Sequence, residues 1–153
     1  MNNTFSDELR CRLAPCGLYC GRCFAFVNGD IRVFSSRLKA ALGNFDVYAK
    51  RYVKLLDDPI YATYPKFKSF LAHLAGVSCG GCRKEKCKLF VACGVRPCAE
   101  TRKVDFCFQC ADFPCNKTGF DEHLYARHVA INIQMKKVGI EKYFDEVKNI
   151  PRY

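Results

Sequence analysis

SCGGCRKEKCKLFVACGVRPCAETRKVDFCFQCADFPC, residues 78–115, carries eight cysteines and holds no hydrophobic period of 3.6 or 2 for more than a few residues. Such a segment reads as loops, tight turns and single helical turns. A stretch this long without regular structure is uncommon inside a compact domain unless something other than apolar packing holds it. The order Cys79-x2-Cys82-x4-Cys87-x5-Cys93-x4-Cys98-x8-Cys107-x2-Cys110-x4-Cys115 repeats the unit C-x2-C-x4-C at 79–87 and 107–115, the pattern of two related knuckles. Two thiols separated by two residues meet one metal ion because a tight turn brings both sulfurs to one side, and Gly80-Gly81 suits such a turn.

Upstream, CGLYCGRC (16–23) adds Cys16, Cys20 and Cys23 in a C-x3-C-x2-C loop. Three thiols are one short of a tetrahedral site, so a fourth ligand has to come from elsewhere in the chain. Clustered CxxC spacings point to metal ligation, and MNNTFSDELR is polar and acidic where an apolar signal core would lie, so an oxidising compartment is not expected. The expectation is a cytoplasmic protein with reduced thiols. The net charge of +10 invites a nucleic-acid reading. Two zinc ions on eight thiolates would bring it to about +6, and three all-cysteine sites to about +4. Arg10 and Arg12 flank Cys11, Arg22 lies between Cys20 and Cys23, and RKEKCK (83–88) surrounds Cys87, placements that neutralise thiolates.

Outside the cysteine blocks the pattern is helical. Phe34, Leu38, Ala41, Phe45, Tyr48, Tyr52 and Leu55 recur at three- and four-residue intervals and predict an amphipathic helix over 30–56, loosened at Gly43-Asn44. Asp57-Asp58-Pro59 closes it, and a second helix over 65–75 carries Phe67, Phe70, Leu71 and Leu74 on one face, with Gly76 at its end. Phe120, Leu124, His128, Ile131, Met135 and Val138 mark a third helix, and after Gly139 the residues Tyr143, Phe144 and Val147 mark a short one, within 120–149. No apolar run nears the ~20 residues of a membrane-spanning helix, so no membrane role is expected. The expected architecture is mainly α: one domain, 1–153, in which a Cys loop (11–27), helices (30–76), a Cys cluster (77–116) and C-terminal helices (120–149) form three to four helices packed on an irregular zinc-knuckle-like region.

The run CGLYCGRCFAFV, then SCGGC, then CGVRPCAETRKVDFCFQCADFPCNK resembles the bacterial and archaeal cysteine-rich proteins grouped as domain of unknown function 3795 (DUF3795). The likeness lies in the opening C-G-L-x-C-x-x-C, a CxGC pair, the element from Cys93 to Ala99, and C-x-x-C-x-[DE]-[FY]-P-C at Cys107–Cys115. It continues into GIEKYF at 139–144. The resemblance implies zinc binding and no established activity. Family members often carry another cysteine where this chain has Phe90, a place that Cys87 can take over, while Cys11 has no counterpart and reads as a buried free thiol.

The metal-ligand candidates are therefore Cys16, Cys20, Cys23, Cys79, Cys82, Cys87, Cys93, Cys98, Cys107, Cys110 and Cys115, enough for two or three zinc ions. Two groupings stay open. In one, Cys115 or Cys98 completes the first loop, and Cys79, Cys82, Cys107 and Cys110 form a paired-CxxC site. In the other, Cys79, Cys82, Cys87 and Cys93 fill a local knuckle. An iron–sulfur cluster is the alternative cofactor, since four-cysteine clusters tolerate many spacings. The C-x3-C-x2-C loop also occurs in radical enzymes that use S-adenosylmethionine, but the alternating strands and helices of their barrel are missing here. His123 and His128 lie about 140° apart on a helix, so they do not form a metalloprotease pair, and His73 reads as a packed residue. Phe106, Phe108 and Phe113 could stack on bases, but read first as an apolar shield for the metal. With no P-loop, GxSxG, HExxH or GxGxxG, the expected function is a zinc-binding interaction module and not an enzyme. A protein partner, or weak nucleic-acid binding through 83–88, is the interaction in view.

Overall fold

The structure, a computed structural model, describes residues 5–153. Helix α1 (Asp7–Arg12) leads into the first cysteine loop, whose Cys20–Arg22 forms a single 3-10 turn. Helices α2 (Asp30–Leu42), α3 (Phe45–Leu55) and α4 (Tyr64–Ala75) follow, with a 3-10 turn at Pro59–Thr63. A short α5 (Val95–Arg102) and a 3-10 turn at Cys107–Gln109 interrupt the cysteine-rich segment, and α6 (Glu122–Val138) and α7 (Ile140–Val147) end the fold. Mainly α is thus the observed class, with seven α-helices among the described residues where the periodicity predicts three to four. The single helix expected over 30–56 breaks into α2 and α3 at Gly43, whose φ of 46° no α-helix accommodates. The acidic stop behaves as its composition implies: Asp58 accepts a hydrogen bond from Ile60 N–H at 2.9 Å, with Pro59 beside it.

Two apolar cores hold the cysteine-rich half. One gathers Ala14, Leu18, Ala25, Phe26, Val95 and Leu124 together with the buried Cys16, Cys20, Cys23 and Cys79. The other joins Leu9 and Leu13 to Phe106, Met135, Ile140, Tyr143 and Phe144. Gly17 lies where the first loop meets α6. Its φ of +86° favours glycine, and a Cβ there would stand 2.7 Å from Met135 Cε and closer still to Ile131 Cγ2.

Neither core includes a described residue of α2, α3 or α4. These three helices pack mainly on one another, α2 against α4, and through an aromatic group in which Phe45 meets Tyr64 edge-on at 5.0 Å and Tyr52 meets Tyr61 at 5.3 Å. Much of the stripe that predicts burial faces outward: Phe34 is 61% exposed, Phe70 62%, and Leu38, Tyr48, Leu55 and Phe67 are exposed as well, while Phe45 and Tyr52 are half-buried in the aromatic group and Leu71 is buried. The correction has a physical source. A 3.6-residue apolar period establishes a helix with one greasy side, and says nothing of whether this chain supplies the surface that covers it.

Candidate metal centre

Long-range backbone hydrogen bonds assemble the cysteine loops. Val27 N–H donates to the Cys79 carbonyl at 2.8 Å and Cys79 N–H donates to the Ala25 carbonyl at 2.9 Å, a short parallel bridge that sets the first loop beside the CxGC turn. Cys107 N–H donates to the Pro15 carbonyl at 3.1 Å, tying the C-terminal knuckle to the same loop. Gly94 N–H donates to the Thr118 carbonyl at 2.9 Å and closes the segment on itself. Each pairing satisfies a donor that irregular backbone would otherwise leave orphaned.

The thiols gather around two hollows of different size. Cys98, on α5, joins Cys107, Cys110 and Cys115 around the smaller, about 30 Å³, under an apolar cover that includes Phe113 and His128. The larger, about 300 Å³, is lined by Cys16, Cys20 and Cys23 from the first loop and by Cys79, Cys82, Cys87 and Cys93 from the second segment. Cys79, Cys82, Cys87 and Cys93 thus line one hollow together with the first loop, while Cys107 and Cys110 line the other with Cys98 and Cys115. Cys11 lines neither hollow and faces a surface groove. Among the described residues no three His, Cys, Asp or Glu side chains already converge in a coordination geometry, so the hollows are gatherings of thiols and not formed polyhedra.

Burial, reinforced by Cys115, Cys98 and Cys110, pushes the Cys107 thiol up to about 12, since four neighbouring sulfurs resist carrying negative charge together. Burial likewise raises Cys16 and Cys79. In the larger hollow Cys82 lines the same wall as Cys20 and Cys87. The three thiols titrate as a set: Cys82 lowers Cys20 and Cys87, with Arg152 contributing to both, and is itself raised. A divalent cation removes the mutual repulsion and lets the set ionise.

Two polar residues on α6 hold the loops in place. His128 and Asn132 are 1% and 0% exposed. Asn132 donates one amide hydrogen to the Cys16 carbonyl at 2.9 Å and the other to the His128 carbonyl at 2.9 Å, and its Oδ1 accepts from Phe108 N–H at 3.1 Å. Both Asn132 hydrogens are committed, so the 3.0 Å contact from His128 Nδ1 to the Cys16 carbonyl is a donation by the ring. One helix thereby clamps the first cysteine loop and the C-terminal knuckle. The apolar stripe marks His128, but Asn132 carries no signal in the sequence, because a buried amide matters only through partners 24 and 116 residues away.

The basic segment divides by role. Arg83 turns inward, donating to the Leu13 carbonyl and the Asp105 carbonyl at 2.9 Å each, with its guanidinium 4.8 Å from the Phe106 ring centre. Lys88 donates to the Ser78 carbonyl and pairs with Glu85, whose carboxylate also accepts from Gly80 N–H. Lys84 and Lys86 are exposed. Phe106 is fully buried in the second apolar core, lining neither hollow and out of reach of a base. His123 is exposed on α6, and His73 is exposed on α4 beside Phe70. At the other end of the chain, Arg152 donates to the Tyr19 carbonyl at 2.7 Å and the Tyr153 hydroxyl lies 4.0 Å from Cys23 Sγ, so the tail covers one side of the larger hollow. No described helix is long and apolar enough to cross a membrane.

No curated relative and no solved structure matches the chain. A family match does, over residues 12–120, a span that takes in both groups of thiols and stops short of α6, the helix that clamps them. On that match the chain belongs to the family described as Protein of unknown function (DUF3795).

Proposed function

We propose that this protein is a zinc-thiolate interaction module of the cytoplasm, in which metal holds an irregular segment as a scaffold and performs no catalytic step. The observation that carries this reading is the set Cys98, Cys107, Cys110 and Cys115 around a hollow of about 30 Å³, roughly the share of one water in the liquid. Four thiolates complete the tetrahedral shell of one zinc ion and leave no open position for a substrate, as in structural sites. The zinc would supply charge neutralisation and crosslinking. The chain's own residues exclude water through Phe113 and fix Cys107 through its bond to Pro15. The exposed apolar face of α2–α4 supports an interaction role, since it offers a partner protein a contact surface.

Zinc quantified per chain, followed by cobalt substitution, tests the reading. The expected result is at least one zinc per chain and the charge-transfer spectrum of a four-sulfur tetrahedral cobalt site, both lost at one site in C98S/C115S. Wild-type protein that folds without zinc, or a double variant that keeps all its metal, overturns it.

A further inference from the structure

We infer that the larger hollow takes a polynuclear iron–sulfide cluster, held by Cys16, Cys20 and Cys23 with a thiolate from the Cys79–Cys93 segment, and not a lone zinc ion. The inference rests on the reading that these thiols ligate metal, and it departs from what the family resemblance implies for them.

Thiolates bound to one zinc stand about 2.3 Å from it, so the ion sits in the gap between touching sulfurs and needs no cavity. The larger hollow measures about 300 Å³, ten times the smaller one. An apolar cavity of about 150 Å³ already accommodates a benzene molecule. An inorganic core of several irons and bridging sulfides is a body of the right kind to fill such a space.

Donor number and placement come next. Seven thiols line one hollow, where a tetrahedral ion accepts four. Cys16, Cys20 and Cys23 are each less than 8% exposed and approach from a single loop, and the bridge between Ala25–Val27 and Cys79 sets the second segment beside it at the same hollow. The rest of the wall includes Leu18, Phe26, Phe90 and Phe120, apolar groups of the type that keep water from a cluster. A cluster with four thiolates carries net negative charge, and Arg152 with Lys86 and Lys88 stands at the same hollow to offset it. Two zinc ions sharing one sulfur would also employ seven thiolates. That arrangement draws the sulfurs together and leaves the volume unfilled.

The test is iron, acid-labile sulfide and zinc measured per chain on full-length protein purified without oxygen. Wild type and two variants, C20S/C23S and C98S/C115S, are also measured after reconstitution with ferrous iron and sulfide. The expected wild type holds iron and sulfide in equal amounts, up to about four of each, plus zinc. Its broad visible absorption bleaches with dithionite as the cluster gains one electron and becomes paramagnetic. C20S/C23S loses iron and sulfide and keeps one zinc; C98S/C115S loses one zinc and keeps the visible band. Two or three zinc ions with no sulfide in reconstituted wild type, or iron and sulfide retained in folded C20S/C23S, overturns the inference while leaving the zinc reading of the smaller site standing. Loss of the cluster inference and of the zinc reading are thus separate results, because the wild-type measurement does not depend on either variant folding.

Discussion

Asn132 shows how much one buried amide can carry. Its three hydrogen bonds reach the first loop, its own helix and the C-terminal knuckle from a position with no solvent access. Replacing it by Leu keeps the volume and orphans the Phe108 N–H, for which the expected loss is about 2–3 kcal/mol of unfolding free energy. Asp at the same position keeps that acceptor but faces the carbonyls of Cys16 and His128 with no hydrogens to offer, so N132D should be the less stable of the two at neutral pH. Urea unfolding of both variants against wild type checks the order, and equal stability of N132L and wild type removes the clamp from the account. His128 adds a pH dependence of definite sign. Burial holds its pKa below the usual 6.5, although the bond to the Cys16 carbonyl pulls the other way. The unfolded chain then binds the proton more readily, so this contribution to stability is complete above about pH 6.5 and falls away as pH drops towards the folded value. The difference in unfolding free energy between wild type and H128Q, followed across that range, should shrink on the acid side. A difference that stays flat would show that His128 titrates alike in both states.

At the scale of elements, the first loop depends on its approach to α6. Ala at Gly17 meets an unfavourable positive φ, about 1–2 kcal/mol, and its Cβ presses on Met135 and Ile131. G17A should lose on the order of 3 kcal/mol in urea unfolding, and shortening the obstruction with M135A should make the double variant less damaged than the sum of the two. Strict additivity would place the cost in the backbone alone. The loop shows where sequence reading succeeds and where it stops. CGLYC and SCGGC announce tight thiol-bearing turns because cysteine spacing is local chemistry, and the helices expected over 65–75 and 120–147 follow from apolar period and Gly139. The grouping of thiols was not legible, since it is decided by pairings such as Ala25 with Cys79 and Pro15 with Cys107, made across dozens of residues. Helix α5 escaped for another reason. Its eight residues bury only Val95 and Ala99, too few to trace a period. The stripe over 34–55 was legible as a helix and misleading as a core.

The molecule as a whole divides into a helical unit, α2–α4, that packs chiefly on itself, and a cysteine-rich half joined to α1, α5, α6 and α7. The two halves should answer differently to metal removal. In the first, the contacts of α2 with α4 and the aromatic group around Phe45 and Tyr64 owe nothing to the thiols. In the second, residues 77–120 contain one two-turn helix and one 3-10 turn, and their sulfurs repel one another as soon as they ionise without a cation. Where ligands converge only in the folded state, the free energy of metal binding becomes free energy of folding. Chelation under reducing conditions should therefore leave a substantial helical circular-dichroism signal while the cooperative melting transition is lost. Limited proteolysis should then cut first at the lysines and arginines of 83–103, which the metal-loaded protein protects. Restoring metal should restore both the transition and the protection. Unchanged melting and unchanged cleavage after complete removal of metal would mean that the two apolar cores around Leu18 and Phe106 suffice to hold the segment, and that the thiols serve some purpose other than the scaffold.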